Sequence, residues 1–179
     1  LSQNPNNAQA RLVLGGIYVK LGNGLSAEKE LEHAQMLGVP RESVLVPLGE
    51  SLLLQGKYEQ IVAEIQSSDT LPSRIAAEVH ALRGKALLRS DSKAEAITHL
   101  QRARDLKDGS LETRKLHAFL LLDLGRIADA LPHLRELIAA APEDLAHREV
   151  LARALHISGD PDGAIAEFAI LAERQPDSL

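Results

Sequence analysis

Leu52-Leu53-Leu54-Gln55-Gly56-Lys57-Tyr58, residues 52–58, runs three apolar residues into a glycine, and Ile61 follows five positions after that glycine. The arrangement is periodic. Gly22, Gly56, Gly125 and Gly159 stand in one column, completed by Asp91, at spacings of 34, 35, 34 and 34. Five residues after each comes Ala27, Ile61, Ala96, Ala130 or Ala164, and four further on Leu31, Ile65, Leu100, Leu134 or Phe168. Seven residues before each lies Gly15, Gly49, Gly84, Ala118 or Ala152, followed three later by Tyr18, Leu52, Leu87, Leu121 or Leu155. Small and large apolar residues at helical spacing on both sides of a helix-ending glycine predict helix-turn-helix repeats that bury their faces against neighbours. The period divides the chain into residues 8–41, 42–76, 77–110, 111–144 and 145–178, with 1–7 as the end of an earlier repeat or a linker.

Local punctuation agrees with this division. The glycine column suits the left-handed residue that ends a helix. Ser92-Lys93-Ala94-Glu95 reads as a capping box, and Asp160-Pro161 as an N-cap followed by a proline in the first turn. Pro142 and Pro176 close the fourth and fifth repeats. The second repeat is the least regular: Pro47 sits near the start of its first helix, and Gln66-Ser67-Ser68-Asp69-Thr70-Leu71-Pro72-Ser73 predicts a short second helix followed by a longer loop.

Composition narrows the function classes. Apolar residues make up 45% of the 179 but aromatics only 2%, so the core is built from Leu, Ala, Ile and Val. A net charge of -5 gives no electrostatic footprint for nucleic acid, and two Tyr and two Phe make no base-stacking platform, so no nucleic-acid partner is expected. With no Cys there is no disulfide, thiolate metal site or thiol nucleophile. No run of 18 apolar residues occurs, so the chain is not expected to be membrane-embedded. The sequence starts at Leu1, and Asn4-Pro5-Asn6-Asn7 reads as the closing turn of a preceding repeat, which predicts a piece of a longer protein.

These columns resemble the tetratricopeptide repeat over residues 8–178. The resemblance implies an all-α, right-handed superhelical solenoid of five repeats that works as a protein-interaction scaffold, without catalytic residues or cofactor. Where that family often carries a large aromatic in the first helix, this chain has Arg11, Leu45, His80, Arg114 and Arg148, positions expected to be more exposed than usual. A narrower resemblance runs through Ala27-Glu28-Lys29-Glu30-Leu31-Glu32, Leu37-Gly38-Val39-Pro40, Leu52–Tyr58 and Ala81-Leu82-Arg83-Gly84-Lys85-Ala86. These stretches are similar to the tetratricopeptide-repeat lipoproteins of bacterial PEP-CTERM/exosortase systems. That similarity implies a role beside exopolysaccharide production and protein sorting, on the periplasmic side of the envelope, with a cytoplasmic setting as the alternative.

Sequence motifs for chemistry are weak. Of the seven histidines, His99 and His133 are 34 apart because they occupy equivalent repeat positions, and no His-Glu-x-x-His or other tight ligand spacing occurs, so no metal site is expected. Glu28, Glu30 and Glu32 beside Lys29 read as a solvated helix face. Leu14-Gly15-Gly16-Ile17 lies inside a helix and is no phosphate loop. No nucleophile elbow or triad is visible, and the chain is expected not to be an enzyme.

Helical geometry instead predicts a partner-binding groove on the first helices. Leu12, Val19 and Lys20 share a stripe in repeat 1, Glu50, Leu53 and Leu54 in repeat 2, and Lys85, Leu88 and Arg89 in repeat 3. Lys115, Phe119, Leu122 and Asp123 follow in repeat 4, and Glu149, Arg153 and His156 in repeat 5. The apolar row Val19, Leu53, Leu88 and Leu122 either contacts a partner or only stabilises the stack. Lys85, Arg89 and Lys115 form an expected basic centre flanked by Glu50, Asp123 and Glu149, which suits a peptide of mixed charge. No polar capping helix follows the fifth repeat, so Phe168 and Leu171 are expected to leave an uncovered face open to self-association.

Overall fold

The computed structural model describes residues 7–68, 70–106 and 110–174. Asn4, Pro5, Asn6 and Pro176, singled out above as turn residues, lie outside them. Among the described residues there are ten helices and no strand. They run α1 (Ala8–Lys20), α2 (Gly24–Met36), α3 (Arg41–Leu54), α4 (Tyr58–Glu64), α5 (Ser73–Arg89), α6 (Lys93–Asp105), α7 (Leu111–Asp123), α8 (Ile127–Ala140), α9 (Leu145–Ile157) and α10 (Pro161–Arg174). The chain forms two compact units, Leu1–Gly109 and Ser110–Leu179. In the first, α1 packs on α2 and α3, α2 on α3, α3 on α4 and α5, and α5 on α4 and α6. In the second, α7 packs on α8, α8 on α9 and α9 on α10.

The turn between the two helices of a pair is one device used five times. Gly22, Gly56, Asp91, Gly125 and Gly159 all have φ between 58° and 86°. Asp91 is the one non-glycine with positive φ among the described residues. The next residue's N–H then donates back to the carbonyl of the large apolar residue in the first helix. The five bonds are Asn23 to Tyr18 at 2.9 Å, Lys57 to Leu52 at 3.0 Å, Ser92 to Leu87 at 2.8 Å, Arg126 to Leu121 at 2.8 Å and Asp160 to Leu155 at 2.9 Å. This six-residue closure satisfies a carbonyl that the helix end would orphan, and it turns the chain sharply enough for the second helix to run back along the first.

Packing follows the small and large columns. Gly15, Gly49, Gly84, Ala118 and Ala152 are all buried. An added Cβ on Gly15 would stand 2.6 Å from Leu31 Cγ, and one on Gly84 2.7 Å from Leu100 Cγ, so the missing side chain is what lets the second helix seat its leucine. Leu31, Ile65, Leu100 and Leu134 are fully buried. Each contributes about 1.5–3 kcal/mol of burial. Phe168, the last of that column, is 37% exposed. Leu171 is buried at 9%, contrary to the expectation that it would lie uncovered.

Cap chemistry divides. Asp160 caps α10 as expected, its Oδ1 accepting from Gly163 N at 2.9 Å. Ser92 precedes α6, but its side chain makes no capping hydrogen bond, so the capping box does not form. The second repeat has the expected irregularity: α4 is seven residues long, against 13 for α2 and α6 and 14 for α8 and α10.

Candidate functional site

In the first unit, Leu12, Val19, Leu53 and Leu88 are half-buried, and so is Lys85, while Lys20, Glu50 and Arg89 are exposed. Leu54 is 50% exposed. Leu53 rests against the core cluster built on Leu52, Ile61 and Ile65, so part of the apolar row stabilises the stack. Because α3 packs on α5, Glu50 comes into the fields of Glu78 and Lys85. Partial burial raises the Glu50 carboxyl above its ordinary value, Glu78 adds to that, and Lys85 opposes it. The first unit thus presents half-buried aliphatics beside charges of both signs.

In the second unit, Lys115, Phe119 and Leu122 are half-buried and Asp123 is exposed. Lys115 Nζ lies 5.8 Å from the Phe119 ring centroid, a cation–π arrangement that holds an aromatic and a charge together. On α9, Arg153 donates to Glu149 at 2.5 Å, one turn apart, and His156 is exposed. The anticipated basic centre draws Lys85 and Arg89 from α5 and Lys115 from α7, residues of different units.

Two sequence readings are corrected. The polar column Arg11, Leu45, His80, Arg114, Arg148 is not exposed: Leu45 and His80 are 3% and 8% accessible, and the three arginines are half-buried. Leu45 joins an apolar core cluster, and for Arg11, His80 and Arg148 the reason is a cross-helix contact at a separation of 19 residues. Arg11 Nη1 donates to Glu30 Oε2 at 2.6 Å, Arg148 Nη1 to Glu167 Oε2 at 2.6 Å, and His80 Nδ1 stands 2.9 Å from His99 Nδ1. A first-helix residue thus reaches the second helix of its own repeat where an aromatic would otherwise fill the gap. The acidic run on α2 is likewise no solvated face. Glu28 is 7% exposed and accepts from Lys57 Nζ at 2.7 Å and Gln55 Nε2 at 2.8 Å, which ties α2 to the end of α3. Glu30 is held by Arg11, and only Glu32 is exposed. The signal available in sequence was the 19-residue separation itself, which pairs opposite charges in repeats 1 and 5.

Among the described residues no group of three or more His, Cys, Asp or Glu is placed to hold a metal ion. Nor is any described helix long and apolar enough to cross a membrane.

Residues 116–178 match the family model of the tetratricopeptide repeat. No curated protein matches the sequence significantly. Among solved structures, the chain is similar to the MamA protein, at 18% identity and a TM-score of 0.72 over 94% of this chain and 92% of that one. It is similar to YrrB, a tetratricopeptide-repeat protein with an unusual peptide-binding site, at 14% identity and a TM-score of 0.71 over 99% and 91%. It is also similar to Pseudomonas aeruginosa PilF, at 21% identity and a TM-score of 0.78 over 99% and 81%. Together with five helix pairs closed by one recurring turn, these likenesses show that the chain has the all-α tetratricopeptide-repeat fold.

Proposed function

We propose that this protein is a non-catalytic interaction scaffold that holds a peptide or an extended segment of a protein partner along its first helices. The observation that carries the reading is the surface of α1, α3 and α5: Val19, Leu53 and Leu88 are half-buried rather than sealed, and Lys20, Glu50 and Arg89 stand exposed beside them. Partly accessible aliphatics give affinity without a deep pocket, and flanking charges of both signs select orientation. Lys115, Phe119 and Leu122 extend the same chemistry in the second unit. The peptide-binding site named for YrrB supports a role of this class. The test changes Lys85, Arg89 and Phe119 together to Ala and measures capture of a candidate partner alongside thermal stability. A folded triple variant with undiminished capture removes this surface from the site.

A second reading is a structural assembly subunit acting through self-association or contacts on other faces. It is favoured by the last helix, where Ile165 is 66% and Phe168 37% exposed. Sedimentation of the chain over a concentration series separates the two, since replacing Ile165 and Phe168 with Ser dissociates an assembly held by this face and leaves peptide capture untouched. Placement in exopolysaccharide or protein-sorting machinery, on the periplasmic side of the envelope, rests on the sequence similarity of residues 27–86. The genes beside this one provide its test.

A further inference from the structure

The shortness of α4 opens a cavity of about 190 Å³ in the first unit. The loop residues Gln66, Ser67 and Ser68 form one wall, and the others come from His80 and Arg83 on α5 and His99 and Arg102 on α6. The same four helix positions recur in other repeats, and there they include an acid. Repeat 1 has Glu30 bonded to Arg11, repeat 5 has Glu167 bonded to Arg148, and repeat 4 has Glu136 with an oxygen 3.8 Å from His133 Nδ1. Repeat 3 has two imidazoles and two guanidiniums at these positions and no carboxylate. The repeat without an acid at these positions is also the one that lines a cavity.

The hydrogen bonding leaves donors over. Arg83 Nη1 donates to the carbonyls of Val62 at 2.7 Å and Ile65 at 3.1 Å, which fixes the guanidinium against the end of α4. Its Nη2 has no hydrogen-bond partner among the described residues, and Arg102 has no ion pair among them. Arg83 Nε points at His99 Nε2 over 3.4 Å, and an arginine can only donate. In neutral His99 the proton then sits on Nδ1 and is given to His80 Nδ1 at 2.9 Å, which leaves the His80 proton on Nε2 as a further donor.

We propose that this cavity binds one oxyanionic group, a phosphate, sulfate or carboxylate, held chiefly by the guanidiniums of Arg83 and Arg102. Guanidinium forks match such oxygens in geometry as well as charge. The electrostatics agree: burial first, then Arg83, His80 and Arg102, hold His99 down to about 4, and burial with Arg102 and Arg83 lowers His80 as well. Glu95 is the acid that acts on Arg83, from α6. An anion among these groups favours imidazolium, so its binding takes up a proton and strengthens as pH falls. The site is independent of the first-helix surface proposed above for partner binding.

The test titrates the 179-residue chain with sodium sulfate, whose charge does not change over the range used, by calorimetry and by the imidazole NMR signals of His80 and His99. One saturable site is expected, with affinity rising as pH is lowered and both imidazoles moving towards their protonated shifts. Arg102 is exposed, so Arg102→Gln keeps the fold and weakens binding by at least about tenfold. Ser68→Glu, which sets a carboxylate at the exposed wall, abolishes it, and Lys29→Gln on α2 leaves it unchanged. Binding that does not saturate, that ignores Arg102→Gln, or that weakens equally in Lys29→Gln overturns the proposal. A peptide carrying one phosphoserine, run beside inorganic phosphate, identifies the source: tighter peptide binding assigns the group to a macromolecule, and equal binding assigns it to a free ion.

Discussion

Gly15 and Gly16 are neighbours in α1, and the packing makes them respond oppositely to the same change. An alanine Cβ at position 16 meets nothing within 4 Å. Gly16→Ala therefore keeps only the backbone benefit, about 0.5–1 kcal/mol for replacing a glycine inside a helix. At position 15 the Cβ would lie 2.6 Å from Leu31 Cγ and 2.7 Å from Leu31 Cδ2. Because Leu31 is fully buried and Cγ is a branch point rather than a free end, the leucine cannot swing aside without moving α2. Overpacking of this kind costs about 1–3 kcal/mol. Against the same backbone benefit, Gly15→Ala is expected to destabilise by up to ~2 kcal/mol. The two variants then differ by about 1–3 kcal/mol, since the backbone term cancels between them. Urea and thermal melts followed by circular dichroism resolve this, one kcal/mol being about 2–4 °C at this chain length. Should Gly15→Ala prove as stable as Gly16→Ala, the small column does not set the distance between α1 and α2, and the packing account fails.

Asp91 holds φ 58° where its four counterparts are glycine, so Asp91→Gly is expected to stabilise by up to ~1 kcal/mol in the same melts, and a loss of stability contradicts the strain assigned to this turn. Ala130→Leu, at a fully buried position in α8, is expected to cost about 1–3 kcal/mol, and a neutral melt refutes its place in the small column. For Glu28, burial raises the carboxyl, but the Lys57 and Gln55 hydrogen bonds and the Lys57 charge outweigh it and the net shift is downward. Its contribution is therefore complete above the ordinary carboxylate range and lost as pH falls through the lowered value. Glu28→Gln is expected to cost about 1–3 kcal/mol near neutrality, towards the lower end because the Lys57 side chain is 38% exposed and water can replace its partner. An equal loss at a pH where Glu28 is already protonated shows that the pair is not its source.

The parts of the fold that sequence made legible are those that depend on one residue at a time. A left-handed helix end demands glycine or a tolerant substitute, and the column from Gly22 to Gly159, Asp91 included, has positive φ throughout. A close helix crossing demands a small residue, and Gly15, Gly49, Gly84, Ala118 and Ala152 are buried as the spacing required. The short α4 was likewise announced by a run of polar residues and a proline after Gln66. Pairs were harder to read. Ser92 and Glu95 have the residue types of a capping box, yet no side-chain bond forms at Ser92, because composition permits that geometry without enforcing it. Arg11 and Arg148, taken singly, look like surface residues. Only with Glu30 and Glu167 placed opposite them by the antiparallel helix do they become half-buried cross-links.

The same pairing logic explains why the cavity beside His80 and His99 was invisible along the chain, and it yields a last prediction. The cavity needs a helix that stops early in one repeat and an acid missing from the next, two features that sequence places far apart and only the fold brings together. Both imidazoles are held below their ordinary range in the folded chain: burial, Arg83, His80 and Arg102 together lower His99 to about 4, whereas a histidine in the unfolded chain titrates near its ordinary 6.5. Between those values the unfolded state binds a proton that the folded state refuses, so stability falls as pH is lowered through the window and recovers as it is raised. The measurement is urea unfolding at a series of pH values for the natural chain and for His99→Gln. The variant forgoes the bond to His80 and starts less stable, but its stability is expected to decline less steeply over this window. Parallel curves for the two proteins show that His99 is not held neutral by its neighbours. A shallower decline with sulfate present than without it measures, through stability alone, the proton that anion binding restores.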